Sequence, residues 1–297
     1  MDQAKFSGPT TALRPQKRWT WHVGYFVRGK PLGAAGGFSL LVVVLIAILA
    51  PFVATHDPIL SDIYKRLTPP GSQFWLGSDS EGRDLFSRIV FGARISLYVG
   101  VGSTLLGTLT GTFVGVASAY RGGKVDLLIQ RLVDAMMGFP GLIIALVLVT
   151  SLGASLNNVV FAIAFSLSPR MVRLARSAAL TVREQDYVLA TRSIGAGPAR
   201  IMLRHILPNS VTPVLVLATG YLGSSIIIEA SLSYLGLGVP PPHPSWGREI
   251  FLGASRFLLY APWLTIFPGL ALTFTVFGIN LFGDALRDSL DPRLRGT

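Results

Sequence analysis

The sequence contains no cysteine and only four histidines in 297 residues. The first absence excludes disulfide bonds, thiolate nucleophiles and zinc–thiolate sites. The histidines are scattered along the chain, and no two of them have the spacing of metal ligands. Their positions are His22, His56, His205 and His243. We therefore expect this chain to hold no metal ion.

The motifs that would indicate catalysis are missing as well. Lysine follows glycine only at Gly29-Lys30 and Gly123-Lys124, and neither pair has the flanking residues of a phosphate-binding loop. The patterns G-x-S-x-G and H-E-x-x-H do not occur. We expect a chain that is not an enzyme, binds no cofactor of its own and does not hydrolyse ATP through such a loop.

Charged residues are also scarce, at 14% of the chain against 51% apolar residues, and the mean hydropathy is +0.55. A chain of this length cannot bury so much apolar surface in a soluble core, so its expected solvent is lipid. Lys and Arg number 26 and Asp and Glu number 15, which gives a net charge of +11. The basic residues cluster at the edges of apolar runs, which favours loops facing anionic lipid over nucleic-acid binding.

Long uncharged runs predict an all-α, polytopic membrane protein with six transmembrane helices, since one span needs about 20 apolar residues. The run from Ala135 to Pro169 is too long for one span and is broken by turn formers at residues 153–158. It therefore predicts a hairpin of two helices, and Pro140 is expected to kink the first. The predicted spans are residues 31–56, 95–120, the hairpin from about 127 to about 173, 211–234 and 262–283.

The distribution of basic residues predicts the orientation. With the N-terminus inside, the inner segments hold 19 of the 26 Lys and Arg residues and the outer segments hold 7. This bias predicts that both termini are cytoplasmic. The expected parts are a cytoplasmic tail (1–30), a first transmembrane helix (31–56), an extracytoplasmic segment (57–94), a five-helix core (95–285) that contains a cytoplasmic loop (174–209), and a second cytoplasmic tail (286–297).

The second predicted span is rich in glycine. Gly100, Gly107, Gly111 and Gly115 fall near one helical face. Small residues at this spacing let helix backbones approach closely in lipid. We expect this face to pack inside the bundle, in preference to a direct role in a pore.

Ionisable residues in the spans are the first site candidates, because they are costly there and often functional. Glu229 is either a pore or gating residue, or a structural carboxylate hydrogen-bonded to serine or backbone. Asp134 is a second pore candidate, with Arg131 three residues earlier as its expected ion-pair partner. Pro140 is the third candidate, through the kink that it imposes.

The series Arg170-x-x-Arg173-x-x-Arg176 has the spacing of a voltage-sensing helix. Only three arginines occur, and the apolar run lies wholly before them. We favour an anchor on the cytoplasmic side, where arginines at a helix end reach the lipid headgroups.

The outer segment from Gly77 to Arg94 mixes charges with aromatic residues. Asp79, Arg83, Asp84 and Arg88 are candidates for contact with an extracytoplasmic partner. The alternative, which we favour, is a solvated structural cap that these residues form among themselves through salt bridges.

A short cytoplasmic helix is predicted from Asp186 to Ile194. Tyr187, Ala190 and Ile194 share a face at i, i+3 and i+7 spacing, and residues 195–197 read Gly-Ala-Gly. Such a helix can fit into a groove of another protein or lie flat on anionic lipid. Small residues make a poor lipid anchor, so we favour docking.

This loop resembles the signature of ABC-importer permeases, which reads Glu-Ala-Ala, three residues, Gly, nine residues, Ile-x-Leu-Pro. The residues that match are Ala190, Gly195, Leu207 and Pro208, while Leu189, Thr191 and His205 depart from it. The segments WLGSDSEGRDLFSRIVFGARISL, EASLSYLGLGVPPPHPSWG and NLFGDALRDSLDPRLRG look like the C-type subunit of the dipeptide/oligopeptide/nickel permease subfamily. The resemblance runs from about Trp21 to the end of the chain.

The resemblance implies a type I ABC-importer permease in a bacterial or archaeal cytoplasmic membrane. Such a subunit forms half of the pore beside a related second permease. Two cytoplasmic ATPases bind ATP and Mg²⁺, and an extracytoplasmic solute-binding protein delivers the solute. The implied solutes are dipeptides or oligopeptides, with nickel or another small solute as the alternative. A stand-alone secondary transporter and a channel are the rival readings.

The loop then corresponds to the coupling helix that sits in a groove of an ATPase. Gly195 and Gly197 are expected to permit the tight turn after it, and Pro208 to begin the next span. Leu189 stands where the general signature has a glutamate. Glu184 or Asp186 is suggested as the residue that supplies a carboxylate instead. The implied coupling residues are Asp186, Tyr187, Ala190, Thr191, Arg192, Gly195, Ala196, Gly197, Leu207 and Pro208.

Overall fold

A computed structural model describes residues 29–290, and this part of the chain consists of helices and loops with one isolated β-bridge. Most of the two predicted tails lies outside the described residues. The helices are α1 (Pro31–Ile48), α2 (Ala50–Val53), α3 (Leu85–Arg121), α4 (Gly123–Met137), α5 (Gly141–Leu152), α6 (Leu156–Arg183), α7 (Asp186–Ser193), α8 (Pro198–Ile201), α9 (Leu207–Tyr234), α10 (Trp246–Leu252) and α11 (Trp263–Leu290).

The described residues contain five helices that are long and apolar enough to cross a membrane. They are Pro31–Ile48, Leu85–Arg121, Leu156–Arg183, Pro198–Tyr234 and Trp263–Ser289. A sixth span arises if α4 and α5, which meet at an angle of 93°, are counted as one broken span. The prediction of six spans therefore holds with one of them bent.

Pro140 causes the bend between α4 and α5. Its ψ of 131° is extended, and α5 starts only at the next residue. Proline donates no backbone hydrogen bond, and its ring disfavours helical geometry in the residue before it. The predicted kink is confirmed, and it is sharp enough to divide the segment into two helices.

Two helix ends differ from the prediction. Helix α3 begins at Leu85, ten residues before the uncharged run, so the end of the predicted extracytoplasmic segment is helical. Helix α6 continues to Arg183, so the predicted loop 174–209 begins inside a helix. In both places the helix continues past the arginine that bounds the uncharged run. It then includes an arginine whose charge is paired inside the fold, Arg88 in α3 and Arg173 in α6.

Helix α9 begins at Leu207 with Pro208 in its first turn, as predicted, but the helical segment as a whole extends further back. The helical segment begins at Pro198 and passes through a π-helical turn, Met202–Ile206, before α9. Proline at position 208 cannot donate to the preceding turn, and a wider π turn is one way in which a helix continues past such a gap. The Asn209 side chain also donates to the His205 carbonyl oxygen at 2.6 Å.

Helices α3 and α6 pack along the predicted glycine face. A Cβ atom built on Gly107 would lie 2.8 Å from the Ala164 carbonyl oxygen, which is too close for any side chain. Gly111 approaches the Met171 side chain of α6 in the same way, and Gly100 approaches α9. The expectation of close helix packing is confirmed. Such packing stabilises a bundle in lipid, where the hydrophobic effect contributes little to the association of helices.

Candidate coupling site and buried polar clusters

Helix α7 lies on the surface between α6 and α9, and Val188 is its one buried side chain. Val188 is completely buried and belongs to the same apolar cluster as Ile201 and Ile206. On the outer side, Tyr187 is 45% exposed and Ile194 is 85% exposed. The helix is therefore held firmly on one side and presents apolar side chains on the other.

Gly195 closes the turn after α7. Its φ of +83° lies in the left-handed region that favours glycine, and its N–H donates to the Arg192 carbonyl oxygen at 3.0 Å. Gly197 instead has φ −67° and ψ 154°, which any residue adopts. The turn thus needs glycine at position 195 only, which corrects the expectation for position 197.

The ten predicted coupling residues lie in two segments, residues 186–197 around α7 and residues 207–208 at the start of α9. Exposed residues are Asp186, Tyr187, Ala190, Arg192, Gly195, Gly197 and Pro208, while Thr191, Ala196 and Leu207 are partly buried. Asp186 lies in the first turn of α7, where a carboxylate interacts favourably with the helix dipole. Glu184, the other residue suggested to supply the missing carboxylate, is paired with its neighbour Arg183 at 3.6 Å.

Acidic residues of α4 bind two arginines of the predicted series. Arg173 donates to Asp134, and Arg176 makes two hydrogen bonds to Asp126 at 2.5 and 2.6 Å. The expected pairing of Asp134 with Arg131 is therefore wrong, since the partner lies on α6. These ion pairs connect α4 to α6. This structural role accounts for two of the three arginines without a voltage-sensing function.

The Glu229 carboxylate is completely buried where α9 meets α3 and the loop before α10. One oxygen accepts hydrogen bonds from Ser233 at 2.8 Å and Ser245 at 3.0 Å, and the other accepts from Ser96 at 3.2 Å. These contacts match the alternative of a structural carboxylate bonded to serine. Glu229 has no exposed surface that could line a pore within this subunit.

The four outer candidates are all turned into the protein. Asp79 and Arg83 pair at 2.6 Å, and Asp84 accepts from the backbone N–H of Ser87 as the N-cap of α3. All four side chains, including Arg88, are at least nine-tenths buried. Their burial argues against direct contact with a partner and favours the structural cap, although that cap is buried and not solvated.

Arg88 is the centre of this cap. It pairs with Glu249 of α10 at 2.6 Å and donates to the Pro58 carbonyl oxygen at 2.7 Å. Sequence patterns could not identify Glu249 as the partner of Arg88, because 161 residues separate the two. The cap thus joins the loop after α2 and the starts of α3 and α10.

An exposed ion pair lies nearby in the same outer segment. Lys65 and the backbone N–H of Tyr64 both donate to Asp62, and they hold the pKa of that carboxyl below its ordinary value. Within residues 29–290, no three His, Asp or Glu residues are grouped so that they could hold a metal ion.

Comparison with known families identifies the type of protein to which this chain belongs. Residues 107–296, more than half of the chain, match the family described as the binding-protein-dependent transport system inner membrane component. The chain belongs to this family of transport permeases. Residues 27–70 also match the N-terminal transmembrane domain of oligopeptide transport permease C. The protein is thus an inner-membrane permease, and the family implies in general terms a second permease, ATPases and a binding protein.

Individual relatives cover most of the permease. It is 42% identical over 265 residues to the glutathione transport system permease protein GsiD of Pectobacterium atrosepticum, covering 89% of this chain and 88% of the relative. It is 39% identical over 264 residues to the dipeptide transport system permease protein DppC of Alkalihalophilus pseudofirmus, covering 89% and 86%. The recognised subfamily is therefore confirmed.

A solved structure supports the fold of the permease. A chain of the MetNI methionine ABC transporter, in inward-facing conformations, aligns with a TM-score of 0.57 at 19% identity. The alignment covers 70% of this chain and 98% of that chain. The expected type I importer permease fold is confirmed, while at this identity the similarity says nothing about the solute.

Proposed function

We propose that this permease is one half of the translocation pore of an ATP-driven importer for dipeptides, oligopeptides or similar small solutes. The relatives named for dipeptide and glutathione transport support peptide solutes. No contact in the described residues favours nickel as the solute. In this proposal a second, related permease completes the pore, and an extracytoplasmic binding protein supplies the solute.

The surface of α7 is the observation that carries the proposed coupling to ATPases. A conformational change in a partner can shift the pore only through an element that contacts the partner differently in the two states. Helix α7 is suited to this role, because its exposed face is free while Val188 ties it to the core that α6 and α9 share. A displacement of α7 would therefore be passed to two spans.

The proposed orientation places α7 in the cytoplasm, together with both termini. The basis is the excess of Lys and Arg in the segments on that side. Two ATPase subunits, which bind ATP and Mg²⁺, would then lie below the pore, one beneath each permease. This chain itself performs no catalysis in the proposal.

Photo-crosslinking from α7 tests this function. Tyr187 is replaced by benzoylphenylalanine, which is similar in shape, and the assembled transporter is irradiated in native membranes. We expect an adduct whose mass is that of this chain plus one ATPase subunit. Phe277, which is also exposed but lies on α11, serves as the control position and is expected to give no such adduct. An equal yield of ATPase adduct at both positions, or none at Tyr187, would contradict the proposed coupling.

A further inference from the structure

Helix α4 runs across the bundle near the end of α6 from which α7 follows. Asp126, near the start of α4, pairs with Arg176 of α6, and Asp134, eight residues later, pairs with Arg173. Those eight residues advance about 12 Å along α4, whereas the two arginines are separated by only about 4.5 Å along α6. Helix α4 therefore lies more across α6 than along it, which agrees with the 93° angle between α4 and α5.

This direction places α4 near the plane of the membrane. Because α6 is a membrane span, a helix that crosses it steeply lies roughly parallel to the surface of the bilayer. The proposed orientation puts this end of the bundle on the cytoplasmic side, together with α7. Helix α4 is thus at the depth of the lipid headgroups, and α5 continues from it into the membrane.

An apolar stripe runs along α4. Val125, Leu128 and Leu132 share one face at i, i+3 and i+7 spacing. Leu128 is 73% exposed and Leu132 is 64% exposed, while Val133, on a neighbouring face, is buried against the bundle. The stripe is therefore uncovered in the part of the chain that the structure describes.

An apolar groove of about 490 Å³ continues the stripe toward the middle of the bilayer. Leu132 and Met136 of α4 line it, together with Leu106 of α3 and Phe165 of α6, and none of its lining residues is charged. Leu106 and Phe165 lie several turns before the ends of their helices at Arg121 and Arg183. The groove is thus an opening between two spans, with α4 across its cytoplasmic end.

Two cations lie on the other side of the stripe. Lys124 and Arg131 are seven residues apart, so they share a face, about 100° around the helix from Val125 and Leu132. Met136, which lines the groove, falls on the opposite side of the stripe from them. The order around the helix is therefore groove, apolar stripe and basic residues, which is the order of an amphipathic helix lying in a membrane interface.

The free charge on α4 is positive. Its two carboxylates, Asp126 and Asp134, are occupied by Arg176 and Arg173. Lys124 and Arg131 are exposed, and neither has a carboxylate partner among residues 29–290. Basic residues at the cytoplasmic surface attract anionic lipids, and an apolar groove that opens into the bilayer suits an acyl chain. A phospholipid with a net negative charge has both parts in one molecule.

We propose that α4 lies in the cytoplasmic headgroup layer and binds an anionic phospholipid. The lipid phosphate contacts Lys124 and Arg131, and an acyl chain lies along Leu128 and Leu132 and enters the groove. This inference goes beyond the proposed function and relies only on its orientation. It assigns α4 a lipid partner, so that α4 is held from one side by the lipid and from the other by α6.

Quenching by spin-labelled lipids tests the site, and the absence of native cysteine allows specific labelling. Ala135→Cys, an exposed position one turn beyond Arg131, carries a fluorophore in the assembled transporter in phosphatidylcholine vesicles. The vesicles contain a small fraction of doxyl-labelled phosphatidylglycerol or doxyl-labelled phosphatidylcholine. We expect at least about fivefold stronger association of the phosphatidylglycerol, because each of two cations attracts it. Leu109→Cys, exposed on α3, is the control position and should be quenched equally by both lipids.

Charge exchange at the two cations identifies their role. We expect Lys124→Gln combined with Arg131→Gln to bring the preference for phosphatidylglycerol close to one. The matched control exchanges the cations, Lys124→Arg with Arg131→Lys, and should keep most of the preference. Both double variants retain the ion pairs of α4 with α6, so the helix should stay in place. Salt at about 1 M should also lower the preference in the unmodified protein.

Each result decides for or against the lipid site. No quenching at position 135 by either lipid would mean that protein covers α4, and equal quenching by both would mean that ordinary bilayer lipid surrounds it; either result overturns the inference. A preference that survives the paired glutamine substitutions would overturn the role of Lys124 and Arg131. These results do not depend on uptake or on the Tyr187 crosslink, so failure of the proposed coupling is recognised separately.

Discussion

Ala190→Arg is expected to abolish solute uptake while the permease remains in the membrane at its normal level. Ala190 is exposed on α7, so the longer side chain can extend into solvent without disturbing the fold. In a groove shaped for alanine, however, the added bulk and charge cannot be accommodated. A loss of about 3 kcal/mol in docking energy, in the range of an interface hot spot, reduces binding more than 100-fold.

The measurement is uptake of a radiolabelled dipeptide by cells that lack the native permease, with immunoblotting of membranes to quantify insertion. Ser177→Arg is the matched control, because it adds the same charge at an exposed position of α6. We expect its uptake to stay close to that of the unmodified protein. Normal uptake by the Ala190 variant would show that α7 has no coupling role.

Gly195→Pro should abolish uptake for a different reason. Proline fixes φ near −65°, whereas this turn requires +83°. The substitution also removes the N–H that bonds to the Arg192 carbonyl oxygen. Gly195→Asn keeps that N–H and tolerates a positive φ, so it should retain much of the uptake. Equal uptake by the two variants would contradict the importance of this backbone conformation.

Arg88→Met is expected to cause the largest loss of stability among single substitutions in the outer cap. Methionine is similar in length, but it leaves Glu249 buried without its cation. Removing one partner of a buried ion pair typically costs about 3–5 kcal/mol, since the remaining charge is then uncompensated. We expect a clearly lower melting temperature of the detergent-purified permease.

Two comparisons make this measurement specific. Arg94→Met removes an exposed arginine from the same helix and should change stability by less than about 1 kcal/mol. The double variant Arg88→Met with Glu249→Gln removes both charges and should recover part of the loss. An Arg88 variant as stable as the Arg94 variant would mean that the pair is not the link between the loop after α2, α3 and α10.

Much of the architecture could be predicted from the sequence, because lipid imposes a simple rule on span length. The uncharged runs located the membrane helices, and the spacing of Ala190, Gly195, Leu207 and Pro208, together with three further segments, indicated the family. The bend at Pro140 also followed from local chemistry, because proline in a helix interior removes a backbone hydrogen bond and favours a kink or a helix end.

Helix ends and charge partners could not be predicted, because they depend on residues that are distant in the chain. The uncharged runs were bounded by Arg94 and Arg170, yet both helices continue past these residues. The helices then include Arg88 and Arg173, whose charges pair with carboxylates elsewhere in the fold. The environment of Glu229 was undecided for the same reason, since Ser96 is 133 residues away.

The polar groove between α6, α9 and α11 also could not be predicted from sequence patterns. Its polar residues are spread over α9 and α11 at positions that look unremarkable in each helix alone. Only the packing of these helices beside α6 brings them to one surface. Likewise, the three evenly spaced arginines looked equivalent in the sequence, whereas the structure pairs Arg173 and Arg176 with carboxylates of α4.

The central claim is that this permease works within a complex whose ATPases bind the surface of α7. Purification of the tagged chain in mild detergent, followed by mass spectrometry, tests it most directly. We expect one related permease and one or two ATPases with a phosphate-binding loop, and we expect Ala190→Arg to lose the ATPases but keep the second permease. Recovery of the chain alone or as a homo-oligomer, or ATPases bound equally well by the Ala190 variant, would contradict it.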